Sequence, residues 1–369
     1  MSGSLPILQT LETILAPAGG GVHVVSTGLE ETLALQQAIY GAGSKGEIAS
    51  CWRTALEKIS KAKVVLLGVP SDTGAGFVRG ANQGPAQIRK SLLADPSHVA
   101  HGSDVVDAGD VRVIPHLLSE EMISDEQRSR CRLALYGDAS LDLPVTPLDQ
   151  CALAIELIRK LNPNVVPIAI GGDHSVGWPA FKTAFQAATD QGKHVGLLHF
   201  DAHTDLLEER LGVRYCFATW AYHANELLKR DGRLVQVGIR ASGKDRAHWE
   251  SNFGVRQYWP EEYLVRPIAD IAEEIAKRFE ERGVDCLYIS NDIDGTDSAF
   301  AAATGTPEDR GLTPEQVTTL SIRLARRFPL VGADLVEVAP PLGGEGEPEM
   351  TLKTACTYLG DLISAATAA

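Results

Sequence analysis

Three things are missing from this 369-residue chain, and each absence removes a class of function. No Cys-x-x-Cys pair occurs: Cys51, Cys131, Cys151, Cys216, Cys286 and Cys356 stand singly, which excludes a thiolate zinc cluster or a dithiol redox motif and leaves reduced, buried thiols. There is no excess of basic charge. Lys and Arg number 34 against 48 Asp and Glu, a net charge of −14, whereas a nucleic-acid binder needs clustered cations to neutralise phosphates. An acidic surface instead suits a cationic small molecule. No apolar run reaches the roughly 20 residues that span a bilayer. The opening stretch MSGSLPILQTLETILAPAGGG lacks the basic region of a signal peptide. A soluble, cytoplasmic protein is the expectation. Fixed-period repeats and low-complexity tracts are also lacking.

What is present divides into two parts. Residues 1–61 read as a helical N-terminal extension. TGLEETLALQQAIYG and GEIASCWRTALEKISKAK carry apolar positions at helical spacing around the break GAGSKG, after a flexible joint Ala-Pro-Ala-Gly-Gly-Gly. Residues 62–369 read as one catalytic domain. Short β-branched runs (63–70, 164–173, 194–201, 233–240, 285–294 and 329–340) end in Gly, Asp or Pro and alternate with helical stretches. Near-continuous apolar strands alternating with helices predict an α/β fold whose parallel sheet is covered on both faces. Its ligands should bind beyond the carboxyl ends of the strands. Residues 117–149, charged and rich in turn formers, read as a surface insertion.

Chemistry gathers at those strand ends. LLHFDAHTD presents Asp201, His203 and Asp205 at i, i+2 and i+4, which in an extended segment share one face. ISNDIDGTD repeats the pattern with Asp292 and Asp294, and IGGDHS supplies His174 after a Gly-Gly turn. A lone Asp at a strand end is ordinarily a cap or turn residue. Four clustered carboxylates are another matter, because burying them without cations costs several kcal/mol each. Two imidazoles and four carboxylates suit Mn²⁺, Ni²⁺, Fe²⁺ or Zn²⁺. Six ligands exceed the needs of one ion with an open position, and two ions about 3.5–4 Å apart can share and acidify a water.

These residues carry a family resemblance. GGDHS (171–175), FDAHTD (200–205), DIDGTD (292–297), ATGTPEDRGL (303–312) and VEVAPPLG (336–343) resemble, in order, the signatures of the ureohydrolase superfamily. GVPSDTGAGFVRGANQGPAQIR (68–89) and DAGDV (107–111) extend the likeness upstream. The resemblance implies a three-layer α/β/α fold with a central, mainly parallel sheet, homotrimers or homohexamers, and two divalent ions, Mn²⁺ or Ni²⁺. It assigns His174, Asp201, Asp205 and Asp292 to one ion and Asp201, His203, Asp292 and Asp294 to the other. It makes Glu337 the clamp on a small cationic guanidino substrate, since a carboxylate matches the fork of guanidinium N–H donors. It implies attack by hydroxide held on the metals, with Asp205 passing the proton to the leaving amine.

The pattern also departs from the family. Phe217, in RYCFATWAYHA, stands where many members place a proton-carrying His, and His223 six residues on is the candidate replacement. RGANQGP, Asn291, Ser298 and the long N-terminal extension look most like the guanidine hydrolase branch, which favours guanidine as substrate. Agmatinase and guanidinobutyrase are the alternatives; arginase, formimidoylglutamase or an inert partner subunit fit less well. A dinuclear phosphatase is a third class, but it leaves Glu337 unexplained. Trp178 and Trp220 lie near motifs and could wall the pocket or pack the core.

Overall fold

The computed structural model describes residues 6–22, 28–95 and 104–368. Nine strands form one sheet in the order β1-β3-β2-β4-β9-β8-β5-β6-β7. They are β1 (Leu15–Ala16), β2 (Val64–Val69), β3 (Val105–Val111), β4 (Val166–Gly171), β5 (Val195–Phe200), β6 (Leu234–Val237), β7 (Arg256–Tyr258), β8 (Cys286–Asp292) and β9 (Leu330–Val336). All neighbours are parallel except β1, which pairs antiparallel with β3.

The strands are apolar on both faces because each face has its own helical layer. Val65, Leu67 and Leu197 pack with Ile155, Ile158, Phe181 and Ala221 on one side. Their neighbours Val64, Leu66 and Leu198 pack with Ile275, Leu324, Leu359 and Ile363 on the other. Strand periodicity of two thus sorts one sequence run between two cores. The arrangement is three-layer α/β/α. No helix among the described residues is long and apolar enough to cross a membrane.

The N-terminal segment forms the expected helices at Leu29–Tyr40 and Lys45–Glu57, the second opened by a capping box between Ser44 and Glu47. A further helix, Ile7–Ile14, and β1 also form there. Leu11, Ile14, Trp52 and Leu56 from this segment enter the same core as β2, and Trp52 Nε1 donates to the Ala108 carbonyl at 2.9 Å. The expected flexible joint is instead tied to the sheet edge. Asp110 accepts from the Gly19 and Gly21 amides at 2.7 and 3.4 Å, and the Gly21 carbonyl accepts from Val113. Residues 117–149 contain the helix Asp125–Tyr136, capped by Ser124.

Candidate metal centre

Four adjacent strands, β4, β9, β8 and β5, deliver the site at their carboxyl ends. His174 follows β4 by three residues, Glu337 follows β9 directly, Asp292 closes β8 with Asp294 two residues on, and Asp201 follows β5 directly. Local backbone explains how they converge. A Cβ at Gly172 would meet the Ser71 carbonyl oxygen at 1.7 Å, so only glycine lets the β4 turn pass this close to the β2 loop. The Gly172 carbonyl then accepts from the Glu337 amide at 2.8 Å, and Glu337 Oε1 accepts from the His174 amide at 2.8 Å. Asp205 and Glu337 hold left-handed φ angles of 51° and 62°, a conformation non-glycine residues adopt at a cost and one that often marks functional positions.

His174 is fully buried, and its Nδ1 faces Asp292 at 3.0 Å and Asp201 and Asp205 at 3.3 Å each. That nitrogen makes no hydrogen bond among the described residues. An unpartnered buried nitrogen aimed among three carboxylates is the arrangement a cation would complete. On the second side, His203 Nδ1 lies 3.1 Å from Asp294 and 3.3 Å from Asp201. Two side-chain sets are therefore close enough to hold an ion, and Asp201 belongs to both. All six predicted ligands come together, and the donor set fits two divalent ions.

The electrostatics show what the cluster lacks without cations. Burial, then the charge of Asp201, pushes Asp205 well above the usual carboxylate range. Burial followed by Asp294 and Asp201 does the same to Asp292, and burial followed by Asp292 and Asp173 raises Glu337. Burial also opposes ionisation of Asp201, but the neighbouring His174, His199 and His203 imidazoles more than offset it and hold its carboxyl well below that range. Burial disfavours charge on His174 too, yet Asp201 and Asp292 raise it well above the ordinary imidazole value. Protons take the place of missing positive charge.

Several neighbours escaped the sequence reading. His199 is within ligand distance of the first set, but its Nε2 faces Asp201 Oδ2 at 2.8 Å and its Nδ1 faces Gln236 Nε2 at 2.9 Å. With both nitrogens engaged, it braces Asp201 and has no nitrogen left to offer an ion. Ser290 Oγ sits 2.9 Å from His174 Nε2, and Thr306 Oγ1 donates to Asp294 at 2.9 Å. His199 and Ser290 precede Asp201 and Asp292 by two, so extending the period-two pattern backwards was the available signal. Trp220 packs in the core, stacks on His174 at 4.6 Å and donates from Nε1 to Asp205 at 3.0 Å.

Other expected residues fall elsewhere. His223 lies in the helix Trp220–Leu227; its Nε2 is 3.0 Å from the Arg214 carbonyl, and it lines a separate cavity with Trp178, Tyr215 and Tyr222. The helix points it away from the cluster, so the proton-carrying role considered for it has no geometric support. Trp178 stacks on Tyr215 in that same outlying cavity and does not wall the metal pocket. Phe217 does line the metal pocket, a space of about 240 Å³ that also includes Gly76, Arg210, Thr306 and Glu337.

The comparisons agree with this geometry. The family model described as "Arginase family" matches residues 62–364. The mitochondrial agmatinase of Gallus gallus is 34% identical over 281 residues, covering 74% of this chain and 73% of that protein. The guanidinobutyrase of Pseudomonas aeruginosa is 32% identical over 295 residues, covering 77% and 81%. Among solved structures, the proclavaminate amidino hydrolase of Streptomyces clavuligerus superposes with a TM-score of 0.64 at 26% identity, covering 82% of this chain and 90% of that one. Fold, cluster and sequence together place the chain in the arginase family, as a hydrolase of the ureohydrolase type.

Proposed function

We propose that this enzyme cleaves a carbon–nitrogen bond of a small guanidino compound, guanidine being favoured, and releases urea with ammonia or an amine. The observation that carries the reading is Glu337, a carboxylate opening into the same 240 Å³ pocket as Asp201, His203, Asp205, Asp292 and Asp294. A carboxylate there suits a planar cation with paired N–H donors. Guanidine is favoured because the pocket is small and Phe217 stands at its boundary. The Phe217 ring lies against Gly76 and under the Arg210 guanidinium, 4.9 Å from its centre. Gly76, Phe77, Arg210 and Phe217 also line a second cavity of about 530 Å³. A substrate with a long tail has to pass Phe217 to use that space. Agmatine and 4-guanidinobutyrate are the second reading, supported by the names of the relatives.

In this proposal His174, Asp201, Asp205 and Asp292 hold one ion, and Asp201, His203, Asp292 and Asp294 the other, Mn²⁺ or Ni²⁺. Two such ions supply positive charge for the carboxylates and lower the pKa of a shared water toward neutrality. Glu337 orients the guanidinium so that its central carbon faces the cluster. Asp205, braced by Trp220, accepts a proton from the attacking water and delivers it to the departing nitrogen. The same proposal includes assembly as a homotrimer or homohexamer, a cytoplasmic location, and a division into an extension, 1–61, and a catalytic domain, 62–369. The family match beginning at residue 62 supports that boundary.

The test is urea release from guanidine, agmatine, 4-guanidinobutyrate and arginine, with Mn²⁺ and Ni²⁺ loaded separately. Guanidine is expected to give the highest kcat/KM. No urea from any of the four under either metal sinks the reading.

A further inference from the structure

A row of polar side chains crosses the sheet just before the strand ends that carry the cluster. Gln257 on β7, Gln236 on β6, His199 on β5, Ser290 on β8 and Asp334 on β9 are register partners in successive pairs. Partners at one register of a parallel sheet project to the same face. All five are fully buried, and Leu234, Leu197 and Tyr288, two positions earlier on their strands, belong to the apolar core of that face. Polar groups persist in such a layer only when paired.

The pairing has a direction. Trp259 Nε1, a group that only donates, bonds Gln257 Oε1 at 3.0 Å. The Gln257 amide nitrogen then donates to Gln236 Oε1 at 2.8 Å. Gln236 Nε2 donates to the Thr204 carbonyl at 2.7 Å and to His199 Nδ1 at 2.9 Å. Turning the Gln236 amide over would set its oxygen against the Thr204 carbonyl oxygen. An accepting Nδ1 leaves the proton of neutral His199 on Nε2, which faces Asp201 Oδ2 at 2.8 Å. From the other side, the Tyr288 and Ser290 hydroxyls each donate to Asp334 at 2.7 Å. With its proton committed, Ser290 Oγ accepts from His174 Nε2 at 2.9 Å, so that His174 Nδ1 is the nitrogen turned toward the carboxylates.

We infer that Trp259, Gln257, Gln236 and His199 form a positioning relay, through which the outer edge of the sheet sets the proton placement that orients Asp201. Gln257 is its remote member: its side chain bonds only Gln236 and Trp259 among the described residues. The inference rests on the proposal above that Asp201 is a metal ligand. Partners that hold a ligand in one orientation commonly govern metal affinity about 10–100-fold.

Gln257→Glu tests it, because the change keeps size but removes the N–H that orients Gln236. The new carboxylate accepts from Trp259 and draws the Gln236 amide round, at the cost of its bond to the Thr204 carbonyl, so that its oxygen meets His199 and moves the imidazole proton to Nδ1. Two measurements on metal-free protein read the result. Nitrogen-15 imidazole shifts, with the His199 signal assigned by its loss in His199→Gln, report which nitrogen is protonated. Calorimetric titration with Mn²⁺ reports affinity. The expected results are Nε2–H in the parent protein, and in Gln257→Glu a switch to Nδ1–H with an affinity loss of about 10–100-fold. A parent protein protonated on Nδ1 overturns the relay, and this measurement decides even if the variant does not fold. Unchanged affinity despite the switch, or lost affinity without it, also overturns the relay, the latter marking a merely structural effect. A parent protein that binds neither Mn²⁺ nor Ni²⁺ overturns the metal reading instead, while the proton order is still read by the shifts.

Discussion

Asp292 faces His174 Nδ1 at 3.0 Å, is almost wholly buried, and stands among carboxylates that raise its pKa. In a metal-free protein such a group is a burden, and in the role proposed for it, as a ligand to both ions, it would be indispensable. Asp292→Asn is therefore expected to lose both ions and all activity, while the metal-free variant melts no lower than its parent. Metal content by mass spectrometry and a thermal melt check this; retained metal refutes the ligand assignment. Phe217 acts by bulk, as the boundary between the 240 Å³ metal pocket and the 530 Å³ outer cavity. Phe217→Ala should join the two and raise kcat/KM for agmatine or 4-guanidinobutyrate relative to guanidine by about 10-fold, a preference worth about 1.4 kcal/mol. An unchanged ratio removes Phe217 as the size filter.

Elements are held in place by a second set of charges that takes no part in the chemistry. Arg89, on the helix Gly84–Ala94, is 3% exposed and bonds Asp107 and Asp110 of β3. Asp110 also receives the Gly19 amide, so one carboxylate joins the helix, β3 and the N-terminal segment. A Cβ on Gly68 would lie 1.9 Å from Asp110 Oδ1, which is why β2 carries glycine there. Arg89→Met leaves Asp110 buried without a countercharge and should destabilise by about 3–5 kcal/mol in urea unfolding. A loss below about 1 kcal/mol, the range of an exposed ion pair, means the network is slack. Gly68 and Arg89 at the ends of the 68–89 motif, with Asp107 and Asp110 of the 107–111 motif, are accordingly architectural, while Gly76, Phe77 and Val78 between them line the pocket. They explain why the sequence resemblance begins well before the first metal ligand.

For the whole molecule, the cluster links metal loading to pH. Burial and neighbouring carboxylates raise Asp205, Asp292 and Glu337, and the carboxylates around His174 and His203 raise both imidazoles. Each of these groups keeps its proton in the metal-free protein to a higher pH than in the unfolded chain. Their stabilising contribution is therefore full below the unfolded values and is lost as pH rises through the folded ones. A cation requires the ligands deprotonated, so loading should release protons and apparent affinity should rise with pH. Calorimetry in two buffers of different ionisation enthalpy measures the release; a heat independent of buffer contradicts it.

The primary sequence by itself determined the alternation of strands and helices and which side chains gather at the strand ends. Both are local: β2, β4, β5, β6, β8 and β9 are apolar runs with clear ends, and the motifs at those ends name the clustered side chains, although β5 ends at Phe200 and Asp205 reaches the cluster through a left-handed φ of 51° and not along one extended face. β1 and β7, of two and three residues, were not legible, because strands so short exist only through their partners. The N-terminal joint was misread for a related reason: its order comes from Asp110, about 90 residues away. Only the tertiary structure decided that His223 turns away while Phe217 faces the pocket, since a helix face is set by what it packs against. It alone decided the row from Gln257 to Asp334, which depends on register between strands far apart in the chain. Which side chains gather follows from the motifs at the strand ends, whereas their orientation follows from register, and register is a property of the folded sheet.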